Sequence, residues 1–154
     1  MAESFSCFAA GIASGTDKSI LSVYNSLATP TRRASIYEVI LGSVATPASQ
    51  AAKWQAGRIT ARGTAGASYT PNNLDPAGPA GECGSDQGVF SVEPTYTANK
   101  ELLHISLNQQ ATFRWVANQG KELRAAATQN NGIGLKSKSS TSTQANEAQI
   151  FFEE

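Results

Sequence analysis

The stretch Leu103–Val116, LHISLNQQATFRWV, decides the fold class. Leu103, Ile105 and Leu107 alternate with His104, Ser106 and Asn108, and Ala111, Phe113 and Trp115 alternate with Thr112, Arg114 and Val116. A period of two is the signature of a strand that buries one face. Asn108-Gln109-Gln110 offers a break, so the stretch reads either as two strands or as one long bent strand.

Working outward, the same signal recurs in short pieces. KSILSVYNSL (18–27) reads as a strand closed by Pro30, which cannot donate to a ladder. RRASIYEVILGSV (32–44) is apolar on both faces except at Glu38, as in a central strand. Thr46-Pro47 changes the signal: threonine caps, proline suits a first helical position, and ASQAAKWQA supplies helix formers before Gly57, predicting a short helix over 47–56. RITAR (58–62) resumes alternation as a half-buried strand. Residues 63–88 hold six glycines and Pro71, Pro76 and Pro79, which predicts a long loop without regular elements. KELRAAAT (121–128) reads as a strand, and Asn131-Gly132 as a turn in which both residues tolerate positive φ. The Ser/Thr-rich 136–144 reads as a hairpin tip and Ala148–Phe152 as a final strand. About eight strands and one short helix make an all-β antiparallel sandwich or jelly roll.

Composition narrows the function. The 154 residues carry 12 Lys+Arg against 12 Asp+Glu, one His and two Cys, and charged residues are 16% where about 25% is usual. A net charge of zero supplies no long-range field for phosphates, which weighs against nucleic-acid binding. No apolar run reaches the roughly 18 residues needed to cross a bilayer, and the start lacks a secretory signal, so a protein made and used without export is expected. Cys7 and Cys83 are expected as unpaired thiols. A surface rich in Ser, Thr, Asn and Gln with few like charges tolerates close association with protein neighbours.

The catalytic inventory is thin. His104 lies on the outward face of its strand, and a serine nucleophile paired with it lacks any G-x-S-x-G context. One His and two distant Cys do not make a zinc site, and Asn73, Asp75 and Asp86 lack EF-hand spacing. A glycosidase pair such as Glu38 and Glu93 is formally open to the chain. No cofactor is expected. The aromatics carry more meaning: a tryptophan in the core is the plainer reading, above all for Trp115, whose face carries Phe113, yet Trp54, Trp115 and the neighbouring Arg114 are also residue types that dominate interfaces, and with His104 they form the candidate interface set. Trp54 or Tyr69, if exposed, would instead stack on a sugar, the mark of a tail-associated or carbohydrate-binding module.

The segments RRASIYEVILGSVATPASQAAKWQAGRITARGTAG, SVEPTYTANKELLHISLNQQATFRWVA, NNGIGL and the ending IFFEE resemble a group of small proteins encoded by tailed bacteriophages. The resemblance implies a virion structural protein of the capsid decoration (cement) kind, with a jelly-roll or tumour-necrosis-factor-like sandwich and a homotrimeric state. Its implied partner is the major capsid protein at the capsid exterior, after synthesis in the host cytoplasm, with no direct nucleic acid and no membrane. It transfers no catalytic residue. It covers the chain from about residue 33, which divides the protein into an N-terminal arm or added strand (1–32) and a sandwich domain (33–154).

Overall fold

A computed structural model describes residues 2–13, 15–139 and 145–154. Twelve strands run along them, beginning with β1 (Ser4–Ala13), β2 (Lys18–Asn25), β3 (Ser35–Ser43), β4 (Ala51–Ala61), β5 (Ala67–Tyr69) and β6 (Asn72–Asn73). The series continues with β7 (Cys83–Gln87), β8 (Thr95–Asn108), β9 (Phe113–Val116), β10 (Leu123–Arg124), β11 (Gly132–Ser137) and β12 (Ala145–Glu153). They form two antiparallel sheets. Sheet A has the order β10-β3-β12-β1-β6, with β9 also paired to β3, and sheet B the order β5-β7-β2-β11-β4-β8.

The pairings are nested. β1 meets β12, β2 meets β11, β3 meets β9 and β10, and β4 meets β8, while β3–β12 and β4–β11 join the pairs laterally. This is the wiring of one long antiparallel hairpin folded over on itself. Residues 1–32, set apart in the sequence as an arm or added strand, supply β1 and β2, each with neighbours on both sides.

One expectation is overturned: no helix occurs among the described residues, so the fold is an all-β two-sheet architecture consistent with a sandwich, without the helical element. Residues 51–56, placed in the helix over 47–56, are the first half of β4, and all of RITAR but Arg62 belongs to the same strand. Their alanines are good helix formers, but that preference is worth only tenths of a kcal/mol per residue. Here β4 is hydrogen-bonded to β8 on one side and β11 on the other, and Ala52, Trp54 and Ala56 fall on its buried face. Pairing on both edges decides the conformation. The glycine-proline stretch is likewise less bare than expected, since β5, β6 and β7 lie within it. The break at 108–110 is real and separates strands of different sheets, β8 in B and β9 in A. The hairpin tip expected over 136–144 lies outside the described residues from 140 onward.

The inner faces of the sheets meet over one apolar core. Phe5 and Phe152 stack at 5.6 Å between ring centroids, and Ile20, Leu21, Val23, Ile36, Val39, Leu41, Trp54, Ile105, Ile133, Leu135 and Ile150 pack around them. A smaller buried set, Tyr24, Ile59 and Phe90, lies apart from this core. There the segment from Gly88 to Tyr96 runs back across sheet B: the Gly88 amide donates to Ile20 O at 3.1 Å, and Glu93 Oε2 accepts from the Ser19 amide at 2.9 Å.

Gln109 is a flaw in this packing. It is buried, and neither its side-chain nitrogen nor its oxygen has a hydrogen-bond partner among the described residues. A buried amide without partners costs about 1–3 kcal/mol. Gln109→Met, similar in volume and without the polar atoms, is therefore expected to raise the unfolding free energy by about 1 kcal/mol. Urea titration reads this directly; an unchanged or lower midpoint would show that the amide is satisfied in solution.

Candidate functional site

The four candidate interface residues divide between the two sheets. Arg114 and Trp115 lie on β9 at sheet A, and Trp54 and His104 lie on β4 and β8 of sheet B. The structure therefore does not bring them together as one site.

On sheet A the register builds cross-strand rows on the outward face. One row runs Arg114–Ile40–Gln149–Phe8, and the next runs Val116–Glu38–Phe151–Ser6. Cross-strand neighbours of this kind sit close enough for their side chains to interact. Phe8 is 42% exposed and Val116 52%, while Ile40 and Phe151 are half-buried and Tyr37 lies 6.3 Å from Phe151 between ring centroids. A depression of about 410 Å³ opens beside the first row, lined by Phe8, Ile40, Gly42, Thr112, Glu147 and Gln149 among others. Arg114 Nε donates to Glu38 Oε1 at 2.6 Å, and that carboxylate holds the guanidinium further into its charged form. Trp115 points the other way, half-buried against the core beside Phe113. Of this pair only Arg114 is available to a partner, already held by Glu38.

On sheet B the outward positions are Lys53 opposite Ser106, Gln55 opposite His104, and Lys136 opposite Gln55. The first two pairs border a groove of about 170 Å³, lined also by Lys138 and by Trp54 and Ile105. His104 is exposed, as its outward position in the sequence implied. Trp54 is 2% exposed and belongs to the core, so it offers no platform for a sugar. Tyr69 is half-buried; its hydroxyl accepts from the Phe8 amide and donates to Phe8 O at 2.5 Å. Neither aromatic is free to stack. The groove itself was invisible in the sequence, because Lys53 and Lys138 meet only through β4 and β11. Alternation in β8 gave the direction of His104 and nothing of its neighbours.

The remaining candidates are dispersed or committed. Glu38 faces outward on sheet A, while Glu93 lies on the segment crossing sheet B, so they do not flank a common cleft. Asp86 is wholly buried in a two-pronged pair with Arg62, apart from the loop that holds Asn73 and Asp75. Both cysteines are free and buried; burial pushes the Cys7 thiol up to about 12, and burial with the Glu154 carboxylate raises that of Cys83. Such thiols are poor nucleophiles.

A carboxylate latch ties the loop after β2 to the chain entering β7. Glu82 accepts from the Thr31 hydroxyl and from the Thr31 and Arg32 amides at 2.9 and 3.0 Å, and Glu154 accepts from the Glu82 and Cys83 amides at 2.6 and 2.8 Å. The Thr31 hydroxyl and the Arg32 amide lower the Glu82 carboxyl to about 2. A carboxyl lowered in the folded state stabilises above its unfolded value, near the ordinary 4.5, and loses that contribution as pH falls toward about 2. Glu82→Gln is therefore expected to reduce stability at neutral pH and to flatten the decline between those two pH values. Thermal melts of both proteins across that range check it, and parallel declines would contradict it.

No protein-family model matches the chain, and no curated protein matches it.

Proposed function

We propose that the protein is a non-enzymatic structural protein of a tailed-phage virion, a homotrimer that binds the major capsid protein on the capsid exterior and stabilises the shell. The observation that supports this reading most is the outward face of sheet A. Phe8, Ile40, Phe151 and Val116 stand in adjoining cross-strand rows around a single ion pair. An apolar face rimmed by polar groups is the usual sign of a protein contact. The resemblance of four sequence segments to small tailed-phage proteins supplies the kind of partner. The low charge of the chain fits a surface packed against protein neighbours.

Co-sedimentation with phage particles tests the proposal. The wild-type protein is expected to pellet with capsids at many copies per particle and to run as a trimer in isolation. Val116→Glu and Phe8→Glu, both at exposed positions, are expected to leave the melting curve nearly unchanged and to weaken capsid binding at least tenfold, the size of effect expected when an interface anchor is lost. A wild-type protein that stays in the supernatant, or variants that bind as well as the wild type, would overturn it. A handful of copies per particle would place the protein on the tail instead.

A further inference from the structure

We propose that the groove on sheet B is a binding site for a single oxyanion group, a carboxylate or a phosphate. Its rim is built by register. Lys53 stands opposite Ser106 and Gln55 opposite His104, and the Lys138 amide donates to Lys53 O at 2.7 Å, which brings a second ammonium stem to the same edge. Trp54 and Ile105 belong to the core, so the groove lies over the strand pair they share, with the polar side chains standing around it.

Three features point to an anion. First, the lining contains no carboxylate: Lys53, Lys138, His104, Ser106 and Gln55 all present hydrogen-bond donors. In a chain with 12 acids and 12 bases this is a local departure from balance. Second, every donor but Lys138, which Asp17 holds, is free to act. Lys53 has no ion pair, and the side chains of Gln55, His104 and Ser106 make no hydrogen bond among the described residues, although Gln55 is buried. Third, the neighbouring charges do not cancel the excess. Asp17 holds Lys138 and lies 3.6 Å from Lys136, Glu93 pairs with Lys18 at 3.4 Å, and Glu101 stands opposite Gly57 beyond the Gln55–His104 pair, so three acids are set against four lysines. Lys136 is turned aside, with its ammonium 4.4 Å from the centre of the Tyr96 ring.

Size limits the ligand. At about 170 Å³ the groove is smaller than the roughly 300–1,000 Å³ of sites that enclose a whole organic ligand. It suits one charged group, met by the Lys53 and Lys138 ammonium groups as point charges and by Ser106, His104 and Gln55 as directional donors. This site faces away from the sheet A surface, and its occupation does not depend on capsid binding.

The test is an amide NMR titration of the full chain with inorganic phosphate, with acetate, and with sodium chloride at matched ionic strength. Phosphate or acetate is expected to give saturable shifts at Lys53–Gln55 and His104–Ser106, with millimolar affinity. Lys53→Met, at an exposed position, is expected to keep the fold and weaken that binding at least tenfold, and His104→Gln to weaken it less. Preference for phosphate would identify a phosphate-bearing ligand, and equal or better binding of acetate a carboxylate. Shifts that merely follow sodium chloride, or that persist unchanged in Lys53→Met, would overturn the proposal.

Discussion

Gly132→Ala is expected to abolish the soluble folded protein, a loss of more than about 4 kcal/mol, for a reason unrelated to turn flexibility. Gly132 pairs with Tyr24 of β2 and Ile59 of β4, in the middle of sheet B. A β-carbon added there would lie within the carbonyl of Val23, 2.8 Å from its carbon, and 2.7 Å from Tyr24 Cα. Those atoms are backbone of the adjoining strand, so no side chain can swing aside. Relief requires β2 and β11 to separate, and both strands carry core residues, among them Leu21, Val23, Ile133 and Leu135. A domain of this size has a total stability of only about 5–15 kcal/mol. Gly120→Ala is the control. Gly120 has φ +78 and nothing within 4 Å of the added carbon, so its alanine variant meets only backbone strain, about 1 kcal/mol. Soluble yield and circular dichroism of the two variants measure the difference, and a well-folded Gly132→Ala would show that the strands lie further apart than described.

The same glycine shows what was legible in the sequence. Asn131-Gly132 was readable as a chain reversal, and the reversal is there, but the residue with positive φ is Asn130 at 62°. Gly132 is the first residue of β11, and close approach of another strand explains it. Local pattern reports on local geometry; it carries no information about which backbone will lie alongside. The error at 47–56 has the same origin. Alanine-rich composition favours helix when a segment stands alone, yet β4 is paired along both edges by strands that begin more than 30 residues downstream. By contrast, alternation in β8 and β9 placed His104, Ser106 and Arg114 outward and Ile105 inward correctly, because facing follows from the pleat alone. The candidate interface residues were thus assigned to faces and not to a site. Trp54 and Trp115 turned out to serve the core, while Phe8, Ile40 and Phe151 were missed because each is an ordinary strand residue until the register of β1, β3 and β12 aligns them.

Arg62→Met is the second large effect expected, a loss of about 2–3 kcal/mol. Asp86 is 0% exposed, inside β7 opposite Ser22 and Ser68. Its Oδ2 accepts from Arg62 Nε at 2.9 Å, and its Oδ1 accepts from Arg62 Nη2 at 2.7 Å and from Ser68 Oγ at 2.6 Å. The guanidinium lies 4.3 Å from the centre of the Tyr24 ring, so both ends of the pair are fixed. Removing one partner from a buried pair costs about 3–5 kcal/mol, because the remaining charge is neither solvated nor compensated. The Arg62 side chain is 36% exposed and part of its charge is already screened, which sets the expectation at or below the lower end of that range. Asp86→Asn placed in the Arg62→Met background removes the stranded charge and is expected to restore part of the loss at neutral pH. A double-mutant cycle measured by urea unfolding decides the matter. Coupling above about 1 kcal/mol establishes the pair as the clamp that fixes β5 and β7 at the edge of sheet B. Additive losses would mean that water reaches Asp86 and that the arginine contributes only its packing over Tyr24.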